Sequence, residues 1–493
     1  MNTQFNQLYR QARLSRDARF DGVFFVGVLS TGIYCRPICP AVAPQEKNVR
    51  YFSSASAAAA AGLRPCLRCR PESAPGSHPW LGTDTTMQRA LTLIEQAALD
   101  SQQPLNIEQI SARLGISSRW LRRLFANKMG TTPIAYVNYC RLMFAKQLLH
   151  QTQLPITDVA FAAGFHSVRR FNEVFQSALQ LSPSSLRRHA DTGFSGTLQL
   201  TQSYRPPYDW QAMLAFYRMR AVAGMEWFEQ DGQAGYGRTL SLSAHQSQLE
   251  AAIFAVDEPQ RHQLRITISL AAGADMRLLP QLVKQLRRMF DLEAEPHIIR
   301  AALNHIPALA NISEPYLGTR IAGVASRFEA GIRAVLGQQV SVTQAIKLLN
   351  QLVQQTGTWR EIAGQQRLFF PSASQLAAQP CQLAMPKSRQ QTIDNLAHFN
   401  HQQPDSPAEQ WLQLKGIGPW TVAYAQLRGE GWPDVLLSSD LVIKKQLIAY
   451  GINDAKALST LAQLVAPWGS YLTFILWRTA SAAVPNVNEA PHE

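Results

Sequence analysis

The sequence is poor in cysteine and charge, and it contains no long hydrophobic run. Six of its 493 residues are cysteine, and 16% are charged. No apolar stretch reaches the length of a membrane span, and the N-terminal residues lack the apolar core of a signal peptide. We therefore expect a cytoplasmic protein with no membrane partner. In that compartment, closely spaced cysteines more often bind metal than form disulfides.

The charge that is present is unbalanced. Lys and Arg outnumber Asp and Glu by 47 to 34, which gives a formal net charge of +13. Such a field favours a polyanionic partner, and nucleic acid is the first candidate. An anionic membrane surface comes second on charge alone and is not among the partners that we expect. A hydrophobic fraction of 46% indicates a globular protein, and the length predicts two to four domains.

Four of the six cysteines form two short pairs. Cys35 and Cys39 lie in "STGIYCRPICP", and Cys66 and Cys69 lie in "RPCLRCRP". Four soft ligands in two such pairs suit a tetrahedral Zn²⁺ site. The surrounding alanine-rich segment would be only marginally stable without a metal. The spacing therefore predicts one four-cysteine zinc site, and by itself it leaves a purely structural role open.

The residues around these cysteines carry a resemblance. "FFVGVLSTGIYCRPICP" and "NVRYFSSASAAAAAGLRPCLRCRP" resemble the N-terminal domain of the bacterial Ada DNA methyl-repair proteins. The resemblance implies that Cys35 is both a zinc ligand and the acceptor of a methyl group from a DNA methylphosphotriester. Methylation removes a negative charge, so repair is expected to raise the affinity for DNA. The basic residues near the cluster are Arg36, Arg64, Arg68 and Arg70.

The next segment follows a Pro-, Gly- and Ser-rich stretch, residues 71–83, which is typical of a linker. "NIEQISARLGISSRWLRRLFANKMG" and "PITDVAFAAGFHSVRRFNEVFQ" each combine apolar residues at helical spacing, a glycine turn and a basic second helix. "PIAYVNYCRLMFAKQLLHQT" predicts one long helix between them. The alternative is a helical bundle whose arginines only face solvent. The predicted DNA-binding residues are Arg119, Arg122, Arg123, Arg169 and Arg170.

These two helix-turn-helix units resemble the AraC-type DNA-binding domain. The resemblance implies promoter DNA and RNA polymerase as partners. The segment with P-C-H-R that carries the second methyltransferase of Ada proteins has no counterpart in the sequence. Alkyl repair at guanine oxygen is therefore not expected.

The C-terminal half begins as a mixed α/β pattern and becomes mainly helical. "LRITISL" alternates like a half-buried strand. "LQLKGIGPWTVAYAQL" predicts a helix-hairpin-helix in which Gly416 and Gly418 bring backbone N–H groups to a DNA phosphate. Asp440 follows in "LLSSDLVIKK". A hairpin followed by an aspartate is typical of the helix-hairpin-helix DNA glycosylases, although a plain turn would give the same glycine pattern.

The resemblance here is to the AlkA-type 3-methyladenine DNA glycosylases. It rests on "RPPYDWQAMLAFYRMRAV", "FEAGIRAVLGQQVSV", "GIGPWTVAYAQLRGEGWPDVLLSSD" and "APWGSYLTFILWR". It implies that Asp440 is catalytic, that Trp420, Tyr424 and Trp477 line the base pocket, and that Gln339 is the wedge. Trp420 occupies the position of the lysine in glycosylases that also cut the strand, so we expect a monofunctional enzyme. Related hairpins also hold a monovalent cation, here through the carbonyls of Leu412, Leu414 and Ile417.

Each of these assignments has an alternative. Asp434 is a competing carboxylate, and Asp440 could simply cap a helix. The three aromatic residues could be ordinary core residues. The glycosylase half could also be inactive, which would leave a DNA-binding transcription regulator.

The sequence thus predicts a multidomain, mainly α protein with α+β parts. We expect a zinc-bound α/β methyl-acceptor domain over residues 1–76 and a double helix-turn-helix domain over 84–190. An α/β subdomain over 199–305 and a helix-hairpin-helix domain over 306–485 complete the glycosylase. No dimerisation heptad is evident, so we expect a monomer. The resemblances place it in the bacterial cytoplasm, associated with the nucleoid.

Overall fold

The structure is a computed structural model. It describes residues 3–17, 20–69, 71, 85–99, 106–187, 194–244, 246–306, 309, 312, 314–379 and 381–482. Nearly all of the predicted linker, and Arg70 beside the cysteine cluster, lie outside the described residues. Among those that are described, no helix combines the length and apolar character of a membrane span.

The chain forms two compact units. The first contains Met1–Leu198 with the short stretches Ser243–Leu249 and Asp275–Pro280, and the second contains Gln199–Leu242, Glu250–Ala274 and Gln281–Glu493.

The first unit begins with a small sheet of strand order β3-β1-β2-β4. β1 is buried along its whole length and pairs antiparallel with β2 and β3, whereas β2 and β4 are parallel. Because Tyr34 on β2 faces Pro65 on β4, the residues that follow them, Cys35 and Cys66, lie at the same end of two adjacent strands. The elements are α1 (Thr3–Ser15), β1 (Phe25–Val28), β2 (Ile33–Cys35), β3 (Val49–Phe52), α2 (Ala55–Ala60) and β4 (Arg64–Pro65).

The described residues that follow in this unit contain seven helices, and five of these are the two helix-turn-helix pairs and the long connecting helix that the sequence predicts. The first turn ends α4 at Gly115, whose φ of 70° is left-handed, and Ser117 then caps α5. The second turn contains Gly164, and any Cβ there would approach the carbonyl oxygen of Ala98 to 2.6 Å. The predicted single connecting helix is α6. The helices are α3 (Thr85–Ala98), α4 (Ile107–Leu114), α5 (Ser118–Met129), α6 (Pro133–Gln151), α7 (Ile156–Ala162), α8 (Val168–Leu179) and α9 (Pro183–Leu186).

A five-stranded sheet of order β5-β9-β8-β7-β6 forms the first part of the C-terminal half. The predicted strand "LRITISL" lies in β9, where Leu264, Ile266 and Ile268 are buried and the residues between them are half-buried. The elements are β5 (Thr197–Ser203), α10 (Trp210–Arg218), β6 (Glu226–Gln230), β7 (Gln233–Ala244), β8 (Ser247–Glu258), β9 (Gln263–Leu270) and α11 (Leu279–Met289).

In the part of the chain that the structure describes, the remaining elements are helical apart from one hairpin of strands. α13 and α17 share a buried core that includes Ile332, Val335, Ile417 and Val422. The elements are α12 (Pro296–Asn304), α13 (Arg327–Gly337), α14 (Val342–Thr356), β10 (Thr358–Ile362), β11 (Gln365–Phe369), α15 (Ala373–Ala378), α16 (Lys387–Gln402), α17 (Pro419–Ala425), a π-helical turn (Gln426–Glu430), α18 (Leu441–Ala449), α19 (Ala455–Val465) and α20 (Gly469–Ala482).

A buried ion network joins the sheet to α13. Arg238 on β7 donates to Glu329 at 2.8 Å, and Arg333 lies between Glu329 at 2.9 Å and Glu226 on β6 at 3.3 Å. All four side chains are almost completely buried. Removing one member would leave an uncompensated buried charge at a cost of about 3–5 kcal/mol. The network therefore fixes how α13 lies against the sheet.

Candidate functional sites

The structure brings the four predicted cysteines together. Their sulfur atoms all lie within 4.8 Å of one another, and the Sγ atoms of Cys39 and Cys66 are 3.9 Å apart. Tetrahedral zinc with Zn–S bonds of about 2.3 Å requires sulfur–sulfur distances of about 3.8 Å, so the donor set fits Zn²⁺. Cys66 and Cys69 are buried, whereas Cys35 and Cys39 are partly exposed.

Arg36 connects the two cysteine pairs. Its backbone N–H donates to the Sγ of Cys69 at 3.3 Å, and its guanidinium donates to the Cys69 carbonyl at 3.2 Å. The same guanidinium pairs with Asp21, whose side chain is 5% exposed. Arg36 therefore supports the fold around the cluster, and Asp21 neutralises its charge.

The two helix-turn-helix units present their arginines differently. Arg119, Arg122 and Arg123 on α5 are exposed, and no carboxylate among the described residues pairs with them. On α8, Arg169 donates to Glu173 at 3.0 Å, and Arg170 lies 3.6 Å from the same carboxylate. All five predicted arginines thus reach the surface, but only those of α8 carry a partner acid.

The predicted hairpin forms between a short turn ending at Gln413 and α17. Gly416 has a φ of 91°, and a Cβ there would lie 2.1 Å from the Oγ1 of Thr392, so glycine is required. Gly418 is the extended residue before α17 and has open space around its Cα. The carbonyl of Leu414, one of the three proposed for a cation, accepts the N–H of Ile417 at 3.1 Å.

Asp440 is the N-cap of α18. Its Oδ1 accepts the N–H groups of Val442 at 3.0 Å and Ile443 at 3.2 Å, and the indole N–H of Trp477 lies 3.5 Å away. Every hydrogen bond that the described residues make to this carboxylate reaches Oδ1. The cap therefore fixes the orientation of the side chain, and Oδ2 accepts no hydrogen bond from the described residues. Asp434 is exposed and accepts the N–H of Gly469 at 3.2 Å.

The three predicted pocket aromatics form one cluster. Tyr424 lies between Trp420, at a ring distance of 5.4 Å, and Trp477, at 6.5 Å. All three side chains are only partly buried, so part of each ring remains exposed rather than packed in the core. Because Trp477 also reaches Asp440, the aromatic cluster and the carboxylate belong to one site.

Two arginines lie beside this cluster, one buried and one partly buried, and neither was predicted from the sequence. Arg428 is 1% exposed and donates to the Tyr424 hydroxyl at 3.0 Å. It lies in the π-helical turn, a feature frequent at functional sites. Arg220 stacks on Phe216 at 3.7 Å, and burial lowers its pKa to about 10. The stretches "FYRMRAV" and "QLRGEG" contain these arginines, but the sequence does not tell which arginine turns inward.

The predicted wedge residue lies on the four-residue loop between α13 and α14. Gln339 is exposed and has a left-handed φ of 56°. The preceding Gln338 donates from its side-chain amide to the hairpin, a contact that the sequence analysis did not anticipate.

Comparisons with known proteins match three parts of the chain. Sequence models of the metal binding domain of Ada, a helix-turn-helix domain and the AlkA N-terminal domain match residues 9–72, 110–189 and 197–326. The probable bifunctional transcriptional activator/DNA repair enzyme AlkA of Mycobacterium tuberculosis is 35% identical over 97% of both chains. The chain belongs to this family of bifunctional transcriptional activators and DNA repair enzymes.

Two relatives match separate parts of this family member. DNA-3-methyladenine glycosylase 2 of Escherichia coli is 32% identical over 57% of this chain and 96% of its own length. The bifunctional transcriptional activator/DNA repair enzyme Ada of Escherichia coli is 36% identical over 31% of this chain and 41% of its own. The predicted combination of Ada-type, helix-turn-helix and AlkA-type parts, its mixed fold and its four-cysteine zinc site are confirmed.

Proposed function

We propose that the protein is an alkylation-repair enzyme whose second unit is a monofunctional DNA glycosylase and whose first unit accepts methyl groups at Cys35. The observation that carries the glycosylase assignment is the fixed carboxylate of Asp440 beside the aromatic cluster of Trp420, Tyr424 and Trp477. The 3-methyladenine glycosylase relative supports alkylated purines as the substrate class.

The base must leave the helical stack before the reaction. A methylated purine such as 3-methyladenine is cationic, and electron-rich aromatic faces attract cations. We assign Trp420, Tyr424 and Trp477 to this role. Gln339 fills the space that the base vacates, and the hairpin at Gly416 and Gly418 binds the DNA backbone.

Asp440 then acts on the sugar. As the bond from C1′ to the base nitrogen breaks, the electron pair leaves with the base, which becomes neutral. The free Oδ2 of Asp440 faces the positive charge that develops on the sugar and orients water. The water oxygen bonds to C1′ and its proton is released, which leaves an abasic site. Trp420 has no amine, so no Schiff base forms and the strand stays intact.

At the first unit, Cys35, Cys39, Cys66 and Cys69 hold Zn²⁺, which keeps the thiols deprotonated at neutral pH. The Sγ of Cys35 attacks the methyl carbon of a phosphotriester. A sulfur–carbon bond forms, the carbon–oxygen bond breaks, and the phosphodiester leaves as an anion. The product thioether is neutral, so one negative charge disappears near Arg64 and Arg68. Affinity for DNA rises as a result.

The arginines of α5 and α8 place the protein on promoter DNA, where RNA polymerase is the proposed partner. We place the protein as a monomer in the bacterial cytoplasm, at the nucleoid where its substrate is. The domain limits 1–76, 84–190, 199–305 and 306–485, and the monovalent cation at the hairpin, belong to the same proposal.

A base-release assay on methylated duplex DNA tests the glycosylase. Asp440→Asn keeps the size and the cap-forming oxygen but loses the charge, so release is expected to fall by about 10³-fold, the scale of a lost electrostatic group. Asp434→Asn is the matched control and is expected to keep wild-type activity. If the wild-type protein releases no base, the second unit is an inactive DNA-binding module of a regulator.

A further inference from the structure

The loop that carries the wedge is short and strained. Only four residues, Gln338–Ser341, separate α13 from α14. Gln339 adopts a φ of 56°, a left-handed conformation that is unfavourable for a residue with a Cβ. A residue in this conformation persists only where its surroundings hold it there.

The neighbouring side chain ties this loop to the hairpin. The Gln338 amide nitrogen donates to the Gly416 carbonyl at 3.0 Å and to the Thr421 hydroxyl at 3.1 Å. An amide NH₂ has two protons, so both bonds can be made at once. Thr421 is 1% exposed on α17, so one anchor is rigid and protected from water.

The other anchor is equally constrained. Gly416 is the left-handed residue of the hairpin, packed against Thr392. The Thr392 hydroxyl lies 3.2 Å from the Lys415 carbonyl. Gln338 therefore contacts the hairpin at a point where the backbone has little freedom.

We propose that Gln338 is a positioning residue. Its side-chain amide connects the wedge loop, residues Gln338–Ser341, to the hairpin that binds the DNA backbone, and so holds Gln339 at a fixed distance from that hairpin. The inference rests on the proposed glycosylase function. The hairpin binds the DNA backbone and the wedge enters the base stack. The distance between hairpin and wedge therefore decides whether the wedge reaches the space that the extruded base leaves. Without the two hydrogen bonds the loop relaxes toward an ordinary backbone conformation and withdraws the wedge.

The wedge matters most when the damaged base is held firmly. Extruding a well-paired base costs more than extruding a mismatched one. A displaced wedge therefore slows release from a matched pair and spares release from a mismatch. A general loss of stability or of catalysis would slow both equally.

The test compares single-turnover release of the same damaged base from matched and mismatched duplexes. In Gln338→Ala the ratio of matched to mismatched rate is expected to fall about 10-fold, as for two lost hydrogen bonds. Ser341→Ala is the matched control. It removes the cap of α14 in the same loop without touching the hairpin, and its ratio is expected to equal that of the wild type.

Two further variants test whether Gln338 acts through its hydrogen bonds and through the wedge. Thr421→Val keeps the shape but removes one acceptor, so it reproduces part of the change. Adding Gln338→Ala to Gln339→Ala is expected to lower the ratio no further, because the two residues act through one wedge. An unchanged ratio in Gln338→Ala, or additive effects in the double variant, overturns the proposal. Failure of the proposed function is distinct, since the wild type would then release no base from either duplex.

Discussion

Cys35 and Asp440 are held by two different kinds of structure. Cys35 ends a three-residue strand and shares a space 4.8 Å across with three other thiols, in a sheet whose last strand has two residues. Asp440 begins a helix and is fixed by two backbone N–H groups and one indole. The geometry of the four-cysteine site therefore depends on a metal, whereas hydrogen bonds within the protein hold the carboxylate of Asp440 in place.

The difference predicts that the two activities fail independently. Loss of the metal removes both the cross-link between the four cysteines and the stabilisation of their thiolate form. Among the described residues the second site has no cluster of metal-ligating side chains, and the buried Arg428 supports Tyr424.

Zinc removal should produce the largest difference between the activities of the two units. Zinc binding in small sites contributes about 10 kcal/mol or more to folding, so a chelator should unfold the N-terminal sheet and abolish methyl acceptance. Base release should continue. Limited proteolysis and a base-release assay in the same chelated sample would check this. Equal loss of both activities would contradict the contrast.

Cys35→Ala should abolish methyl acceptance because the nucleophilic sulfur is gone. The measurement is the mass of the protein after incubation with methylphosphotriester DNA, where the wild type should gain a single methyl group. Cys140→Ala removes a thiol outside the cluster and should gain the methyl group normally. Base release by both variants should match the wild type.

Arg428→Met should weaken the second site without touching Asp440. The change removes the hydrogen bond that orients Tyr424, so kcat/KM for base release should fall about 10-fold to 100-fold, as for a lost charged hydrogen bond. Arg428→Lys should recover part of the rate. Tyr424→Phe in the Arg428→Met background should cause little additional loss. Independent effects would show that Arg428 acts only through stability.

The smallest effect concerns the arginines of the helix-turn-helix units. Arg122→Ala should reduce the slope of log affinity against log salt by about 1, because each phosphate contact releases roughly one counterion. Arg169→Ala should reduce it less, since Glu173 already neutralises that charge. Affinity measured over a salt series checks both. Equal slopes would mean that the Glu173 pairing does not persist on DNA.

The sequence was sufficient for the zinc site because its chemistry is local. Two short cysteine spacings carry all four ligands, and the parallel pairing of β2 with β4 only completes their approach. The helix-turn-helix units were equally local, since glycine turns and apolar spacing define them.

The glycosylase site could be predicted only in part. Asp440 and the hairpin glycines have sequence patterns, but Arg428, Arg220 and Gln338 do not. Their roles depend on which way a side chain turns after residues from about 216 to 477 come together. Arg327 pairs with Glu430, which is two residues after Arg428 in the sequence. Of these two arginines, Arg428 is the one that donates a hydrogen bond to Tyr424. The left-handed backbone of Gln339 likewise follows from loop length and packing rather than from its residue type.

The central claim is that one chain carries two separate chemistries for alkyl-damaged DNA. The most direct measurement uses one duplex with a methylphosphotriester and a methylated purine, and follows protein mass and free base in the same reaction. The account predicts that Cys35→Ala loses only the methyl gain and Asp440→Asn loses only the free base. If either substitution removes both products, or Asp440→Asn releases base at the wild-type rate, the account is wrong.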